Sequence, residues 1–279
     1  MAVDKERLDI LLVEQGFFAT REKAKASIMA GLVLVDDVPS DKAGTKVLRS
    51  SRIIVKGAIH PYVSRGGLKL EKALKLFEID LTGVTMLDIG ASTGGFTDCA
   101  LQNGAAEVYA VDVGYNQLDW LIRNDPRVHV MERTNFRFMK PEDLGGGTKP
   151  SFVSIDVSFI SLKLILPPLK SILGDQGSVI ALIKPQFEAG REKVPKTGVI
   201  REPAVHTDVL QAVLGFAKEA GFYLQGLTFS PIRGGEGNVE FLAYFHAAEP
   251  ETTLTTELQD EWIRQVVIDA QKLQNSSGG

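Results

Sequence analysis

The stretch that decides the fold runs from residue 85 to residue 114, TMLDIGASTGGFTDCALQNGAAEVYAVDVG. It opens on a short apolar run, TMLDI, the composition of a strand buried on both faces. Glycines follow at positions 90, 94 and 95. They let the chain turn sharply and bring backbone close to a ligand with no Cβ in the way. GGFTDCALQNG reads as a helix, and EVYAVDV is a second strand with Asp112 at its tip. Strand, loop, helix and strand in this order make one unit of a doubly wound α/β sheet, where ligands bind outside the carboxyl ends of the strands. Asp112 lies 22 residues after Gly90, where this architecture binds a ribose hydroxyl. Asp88, near the end of the first strand, is placed to hold loop amides or a ligand ammonium group. The spacing G-x-x-x-G-G departs from the dinucleotide fingerprint, and the P-loop pattern is absent. The unit therefore predicts a nucleoside-type cofactor and argues against ATP or GTP hydrolysis.

Outward from this unit the alternation continues. VHVMER, FVSIDVS and GSVIALIKP read as strands. QLDWLIR, SLKLILPPLKSIL and VHTDVLQAVLGFAKEAG read as helices, and 185–203 as a polar loop. FYLQGLTFS and VEFLAYFHA are joined by a loop instead of a helix, which predicts an antiparallel pair at one edge of a mainly parallel sheet. The tail, LTTELQDEWIRQVVIDAQKLQ, has helical periodicity. Toward the N-terminus, RLDILLVEQG and REKAKASIMA read as two helices, with Gly16 and Gly31 as stops and Thr20 as N-cap. LVLVDD and the stretch from Val47 to Val55 follow as small strands. Residues 56–70 read as a linker feeding a helix capped by Ser64.

Composition narrows the class. The 279 residues are 44% hydrophobic and 24% charged, a globular mixture, and the single cysteine, Cys99, rules out a disulfide scaffold. No apolar run approaches a membrane span, and the first residues lack a signal-peptide pattern. These features predict a cytoplasmic protein. The net charge of −4 is uneven: residues 1–72 hold 13 Lys+Arg against 9 Asp+Glu, and the remainder 18 against 26. A basic N-terminal segment predicts a phosphate-backbone partner. The four histidines share no metal-ligand spacing, so no metal site is expected.

Charged residues stand at strand ends that should be apolar. Asp156 ends FVSIDVS, Lys184 ends SVIALIKP, Glu240 begins VEFLAYF, and Lys69 lies on the helix before the first strand. Taken singly, each is a solvated edge residue or half of a structural ion pair. Two lysines and two acids near the same sheet edge are harder to dismiss as unrelated than any one of them.

LDIGASTGGFTDCALQNGA followed by YAVDVG resembles the S-adenosylmethionine site of class I methyltransferases. More closely, the chain resembles the TlyA family, often labelled haemolysin A, which pairs an S4 RNA-binding module with an FtsJ-like ribose methyltransferase domain. RLDILLVEQGFFATREKAKASIMAGLVLVDD is similar to the S4 module. VSRGGLKL, LDIGASTGGF, SIDVSFISL, LIKPQFE and NVEFL are similar to the catalytic domain. The resemblance implies an S4-like domain over 1–60, a linker over 61–68, a methyltransferase domain over 69–250, and a C-terminal helix and tail over 251–279. It implies a Rossmann-like seven-stranded sheet with an antiparallel last strand. It also implies a Lys-Asp-Lys-Glu tetrad of Lys69, Asp156, Lys184 and Glu240, and a cofactor site of Asp88, Gly90, Ser92, Gly94, Gly95, Phe96, Asp112 and Asn135. The expected reaction is 2′-O-methylation of ribosomal RNA, in 16S RNA, 23S RNA or both, with ribosomal RNA or ribosomal subunits as partner.

A ribose hydroxyl is a weak nucleophile and a weak acid, so it must be oriented and its proton accepted. Lys184 is expected to activate it, with Asp156 and Glu240 orienting the lysines. Methyl transfer with proton loss afterwards is the alternative. Arg7, Arg21, Lys23, Lys25 and Arg65 are expected to follow the RNA backbone, positioning the enzyme without reading sequence. Three other readings compete, and the glycine loop argues against the first, an S4-bearing pseudouridine synthase with a mostly antiparallel fold. A cytolytic haemolysin lacks support from any export signal or insertion segment, and an inactive fold that only binds RNA conflicts with the intact tetrad.

Overall fold

Residues along each central strand alternate between two apolar layers. Val179, Ala181 and Ile183 join one layer, while Ile180 and Leu182 join the other. That period of two means both faces of the sheet are covered. The computed structural model describes residues 4–18, 20–56, 60–251 and 255–276, with side chains to residue 272. The chain divides into two compact units, Met1–Pro61 and Tyr62–Gly279.

The first unit runs β1 (Lys5–Arg7), α1 (Leu8–Glu14), α2 (Arg21–Met29), β2 (Val33–Val35), β3 (Val38–Ser40), β4 (Lys46–Leu48) and β5 (Ile53–Val55). Leu8, Leu11, Leu12, Ala24, Ile28, Val33 and Val47 form its core. Thr20 caps α2, its hydroxyl accepting the Lys23 N–H at 3.3 Å. The acidic turn holds Asp36 and Asp37 at φ 51° and 65°, which suits the twist of a tight hairpin. The stretch read as one strand from 47 to 55 is two. β4 pairs with β1, and β5 pairs with β2 in a separate three-stranded sheet. The polar turn between them is fixed where the Arg52 N–H donates to Asp36 at 2.8 Å. β1, too short and polar for a strand signature, was not foreseen.

Asp9 is fully buried between two arginines. Arg7 Nε reaches its Oδ1, and Arg21 Nη2 its Oδ2, each at 2.9 Å. The Arg7 hydrogen bond is the main reason the carboxyl is held far below its ordinary range, against the opposing effect of burial, with Arg21 adding to it. A depressed folded-state value means that the stabilisation is complete above the ordinary value of 3.8 and is lost as pH falls well below it. Asp9→Asn is expected to lower the stability of this unit by about 2 kcal/mol at neutral pH, with the difference from wild type shrinking in acid. Urea melts at pH 7 and pH 3 check both parts.

The second unit runs α3 (Gly67–Leu76), β6 (Thr85–Ile89), α4 (Gly95–Gln102), β7 (Glu107–Val111), α5 (Trp120–Arg123), β8 (Val128–Met131), β9 (Phe152–Ile155), α6 (Leu166–Leu173), β10 (Ser178–Ile183), α7 (Pro185–Glu188), α8 (Pro203–Glu219), β11 (Tyr223–Phe229), β12 (Phe241–His246) and α9 (Thr256–Ser276). Its seven strands are ordered β11-β12-β10-β9-β6-β7-β8. All neighbours are parallel except β12, which is antiparallel to both β10 and β11. Helices α3 and α4 supply one layer, and α6, α8 and α9 the other.

Local details depart from the sequence reading. Residues 57–59 of the stretch read as a linker, and the terminal 277–279, lie outside the described residues. Tyr62 is buried in the α3–α4 layer, and the Val63 N–H donates to Asp98 at 2.7 Å, so this segment is built into the second unit. Gly66, not Ser64, occupies the N-cap of α3. QLDWLIR yields only the single turn of α5. The loop after Lys184 contains α7 and a 3-10 turn at Arg191–Lys193. With the boundary at Pro61, the first unit holds 10 Lys+Arg against 8 Asp+Glu, a smaller excess than residues 1–72 suggest. Among the described residues, no helix is long and apolar enough to cross a membrane.

Candidate active site

Position at the sheet edge follows from where each strand stops. Asp156 comes directly after β9, Lys184 directly after β10, and Asp112 directly after β7. Glu240 directly precedes β12, whose reversed direction brings its beginning to the same edge as the other strands' ends. Lys69 reaches this edge from the first turn of α3.

The four charged residues predicted to cluster do so. Lys184 Nζ lies 2.6 Å from Asp156 Oδ1, and Lys69 Nζ lies 3.3 Å from Asp156 Oδ2. Lys69 Nζ also lies 2.7 Å from Glu240 Oε2. The order is therefore a chain, Lys184–Asp156–Lys69–Glu240, with Asp156 shared by the two lysines and Lys69 shared by the two carboxylates. Burial opposes the charge on Lys69, but Asp156 and then Glu240 outweigh it and raise its pKa. Burial likewise pushes Asp156 up, and the two lysines outweigh it and hold the carboxylate ionised. Lys69, Lys184 and Glu240 are each less than 9% exposed. Charges so buried are tolerable because each has an opposite partner.

These residues share a cavity of about 310 Å³ with the glycine loop. Gly90, Ser92, Gly95, Phe96 and Arg65 line it, together with Ser64, Thr93, Ser158, Gly234 and Gly235, none of them expected from sequence as a site residue. Gly90 has φ 87°, and a Cβ there would lie 2.5 Å from the Asp156 carbonyl oxygen. The glycine thus lets the loop pass against the residue that carries both lysines. Gly94, at φ 94°, precedes α4 and does not line the cavity.

Asp112 also lies outside the cavity lining. Its Oδ2 accepts the Ser92 N–H at 2.8 Å and its Oδ1 the Gly114 N–H at 2.7 Å. An ionised carboxylate has about four lone-pair sites, so acceptor capacity remains for a ligand hydroxyl. Asp88 differs from expectation. It is fully buried, accepting from Thr97 Oγ1 and Ser154 Oγ at 2.7 Å each. Burial pushes its carboxyl up to about 6. It braces the glycine loop's strand and helix from within and does not face the cavity. Asn135 is exposed and caps a 3-10 turn, accepting the Arg137 N–H at 3.2 Å; it does not line the cavity either. Arg65 Nη2 donates to the Arg233 carbonyl at 2.7 Å, spanning from α3's start to the turn before Glu240.

A seven-stranded sheet of this order and sense, with a glycine loop after β6 and an acid after β7, is the Rossmann-like fold of a class I methyltransferase. Residues 62–247 match the FtsJ-like methyltransferases and residues 6–53 match the S4 domain. The chain belongs to the FtsJ-like methyltransferase family, in the TlyA/haemolysin A branch that carries an S4 domain. It is 56% identical to YqxC of Bacillus subtilis over 98% of this chain and 96% of that one. It is 40% identical to TlyA of Mycobacterium tuberculosis, named a 16S/23S rRNA (cytidine-2′-O)-methyltransferase, over 92% and 95% of the two chains. A solved structure from Streptococcus thermophilus, labelled a hemolysin, superposes with a TM-score of 0.77 at 51% identity, covering 99% of each chain.

Proposed function

We propose that this enzyme uses S-adenosylmethionine to methylate a ribose 2′-hydroxyl of ribosomal RNA. The observation that carries the reading is the buried lysine–carboxylate chain in one cavity with the glycine loop. The loop fits a nucleoside cofactor: Gly90, Ser92, Gly95 and Phe96 line the cavity, and Asp112 keeps acceptor capacity for a ribose hydroxyl. The Gly90–Phe96 loop and Asp112 would hold the cofactor, which supplies an electrophilic methyl group when bound.

The chain's own residues then divide the work. Lys184, as the neutral amine once its ammonium proton has left to solvent, accepts the proton of the ribose hydroxyl. Asp156 holds Lys184 through one carboxylate oxygen and Lys69 through the other, and Glu240 fixes Lys69 as its second carboxylate partner. Lys69, kept charged, supplies positive potential where the hydroxyl oxygen gains negative charge. Transfer of labelled methyl to 16S and 23S ribosomal RNA, with mapping of the modified ribose, tests the function. Label on a base or on neither RNA refutes it. A ribosomal RNA substrate goes with work in the cytoplasm, on naked RNA or on ribosomal subunits.

The S4 domain supports the RNA partner. Arg7 and Arg21 are anchored on Asp9 yet keep 41% and 47% of their side-chain surface exposed, so they present donors at low entropic cost. With Lys23, Lys25 and Arg65, they make five candidate phosphate contacts. RNA affinity is then expected to fall about 100-fold or more between 50 and 200 mM salt. Filter binding across that range checks this, and a flat response contradicts the assignment.

A further inference from the structure

We propose that Ser158 is a positioning residue for Lys184, holding its nitrogen in place in both protonation states. The proposal rests on the ribose-methyltransferase reading above. Lys184 Nζ donates to Ser158 Oγ at 2.9 Å, besides its contact with Asp156 at 2.6 Å. Ser158 follows Asp156 by two residues and lines the cavity.

The two lysines of the chain are held differently. Lys69 sits between two carboxylates, which accept hydrogen bonds only. Such a setting fixes an ammonium and keeps it an ammonium. Lys184 meets one carboxylate and one hydroxyl. A lysine that accepts a proton must start as the neutral amine, whose lone pair needs to stay oriented. A hydroxyl oxygen suits both forms, because it accepts an N–H from the ammonium and from the amine alike. The amine's two N–H groups then go to Asp156 and Ser158, and its one lone pair is left for the ribose hydroxyl. Ser158 therefore fixes the long lysine stem without adding a second negative charge.

The backbone supports the same function. Glu188, four residues after Lys184, accepts from Ser161 Oγ at 2.6 Å and from the Leu162 N–H at 2.8 Å. The segments 158–162 and 184–188 are thus joined at both ends, by Ser158–Lys184 at one and by Glu188 at the other.

Three variants test the proposal. Ser158→Ala is expected to lower kcat about 10- to 100-fold, the loss of one hydrogen bond to a charged group. KM for RNA, affinity for S-adenosylmethionine and thermal stability should stay close to wild type, since Ser158 is exposed. Ser158→Thr keeps the hydroxyl and should recover kcat to within about 3-fold. Ser158→Asp restores a partner but makes Lys184 resemble Lys69, and should not recover it. Ser158→Ala with kcat near wild type, or Ser158→Asp as active as Ser158→Thr, overturns the proposal. An arm independent of turnover is ¹⁵N NMR of the Lys184 side chain. Its Nζ resonance should shift and lose order in Ser158→Ala, and an unchanged resonance overturns the proposal. If the wild type methylates no ribose, the functional reading fails while the NMR arm still decides the Ser158 contact.

Discussion

Lys184→Ala is expected to lower methyl transfer by about 10²- to 10⁴-fold, the range for loss of a positioned proton acceptor, while S-adenosylmethionine affinity stays within about 2-fold. The chain of ion pairs explains why the fold survives. Removing Lys184 leaves Asp156 still paired to Lys69 at 3.3 Å and Glu240 still paired at 2.7 Å. Lys69→Ala is the contrasting case. It strips Glu240, which is 3% exposed, of the cation that balances it, and breaking a buried pair on one side costs about 3–5 kcal/mol. Lys184→Ala should therefore melt near wild type and Lys69→Ala well below it. Calorimetric titration of the cofactor, single-turnover methylation and thermal melts on both variants check the division. Near-normal turnover in Lys184→Ala refutes its role.

Gly90→Ala is expected to damage stability and activity together. The added Cβ meets the Asp156 carbonyl oxygen at 2.5 Å, and the backbone φ of 87° disfavours any side chain. Strain and clash together should cost about 3 kcal/mol or more. The strand ends must separate to relieve the clash, and Asp156 moves with both lysines. Methylation should fall at least about 100-fold even in the folded fraction. Gly215, in α8 with nothing near its missing Cβ, is the control. Alanine there should stabilise by about 0.5–1 kcal/mol. Urea unfolding and turnover of both variants make the comparison, and a Gly90→Ala enzyme as stable as wild type contradicts it.

The order of strands and helices was legible because apolar period and glycine punctuation decide it locally. Asp156, Lys184 and Glu240 were legible as candidates because charged residues at strand ends conflict with a buried sheet, and the family resemblance joined Lys69, on a helix, to them. Their connectivity was not, since no one-dimensional pattern shows that Lys69 bridges Asp156 and Glu240. Asp88 shows how much one residue matters. It lies inside β6, one position before Ile89, so the pleat turns it into the α3–α4 layer. Asp112, Asp156 and Lys184 each lie one position beyond their strand and stay at the edge. Strand-end position is visible in sequence only to within a residue or two. Ser158 lay inside a recognised motif, but a serine among apolar neighbours carries no distinguishing mark until its partner is known. The split of 47–55 into β4 and β5 was hidden for a related reason, because Arg52 is fixed by Asp36 from a hairpin 16 residues away.

The reversed direction of β12 has a consequence for how such an enzyme can change its substrate. β11 ends at Phe229 and β12 begins at Phe241, so their connection forms one wall of the cavity through Gly234 and Gly235. The parallel strands reach the same rim only through long crossovers whose lengths are bound to helix packing. A hairpin tip is not bound to helix packing, and a Cβ at Gly235 would meet nothing within 4 Å. The tip at Gly235 and Glu236 can therefore gain length while every strand keeps its register, whereas Arg233 and Gly234 stay tied to Arg65 and packed against Glu240. The doorway is the adjustable part of this enzyme, and the chemistry behind it is set in the frame.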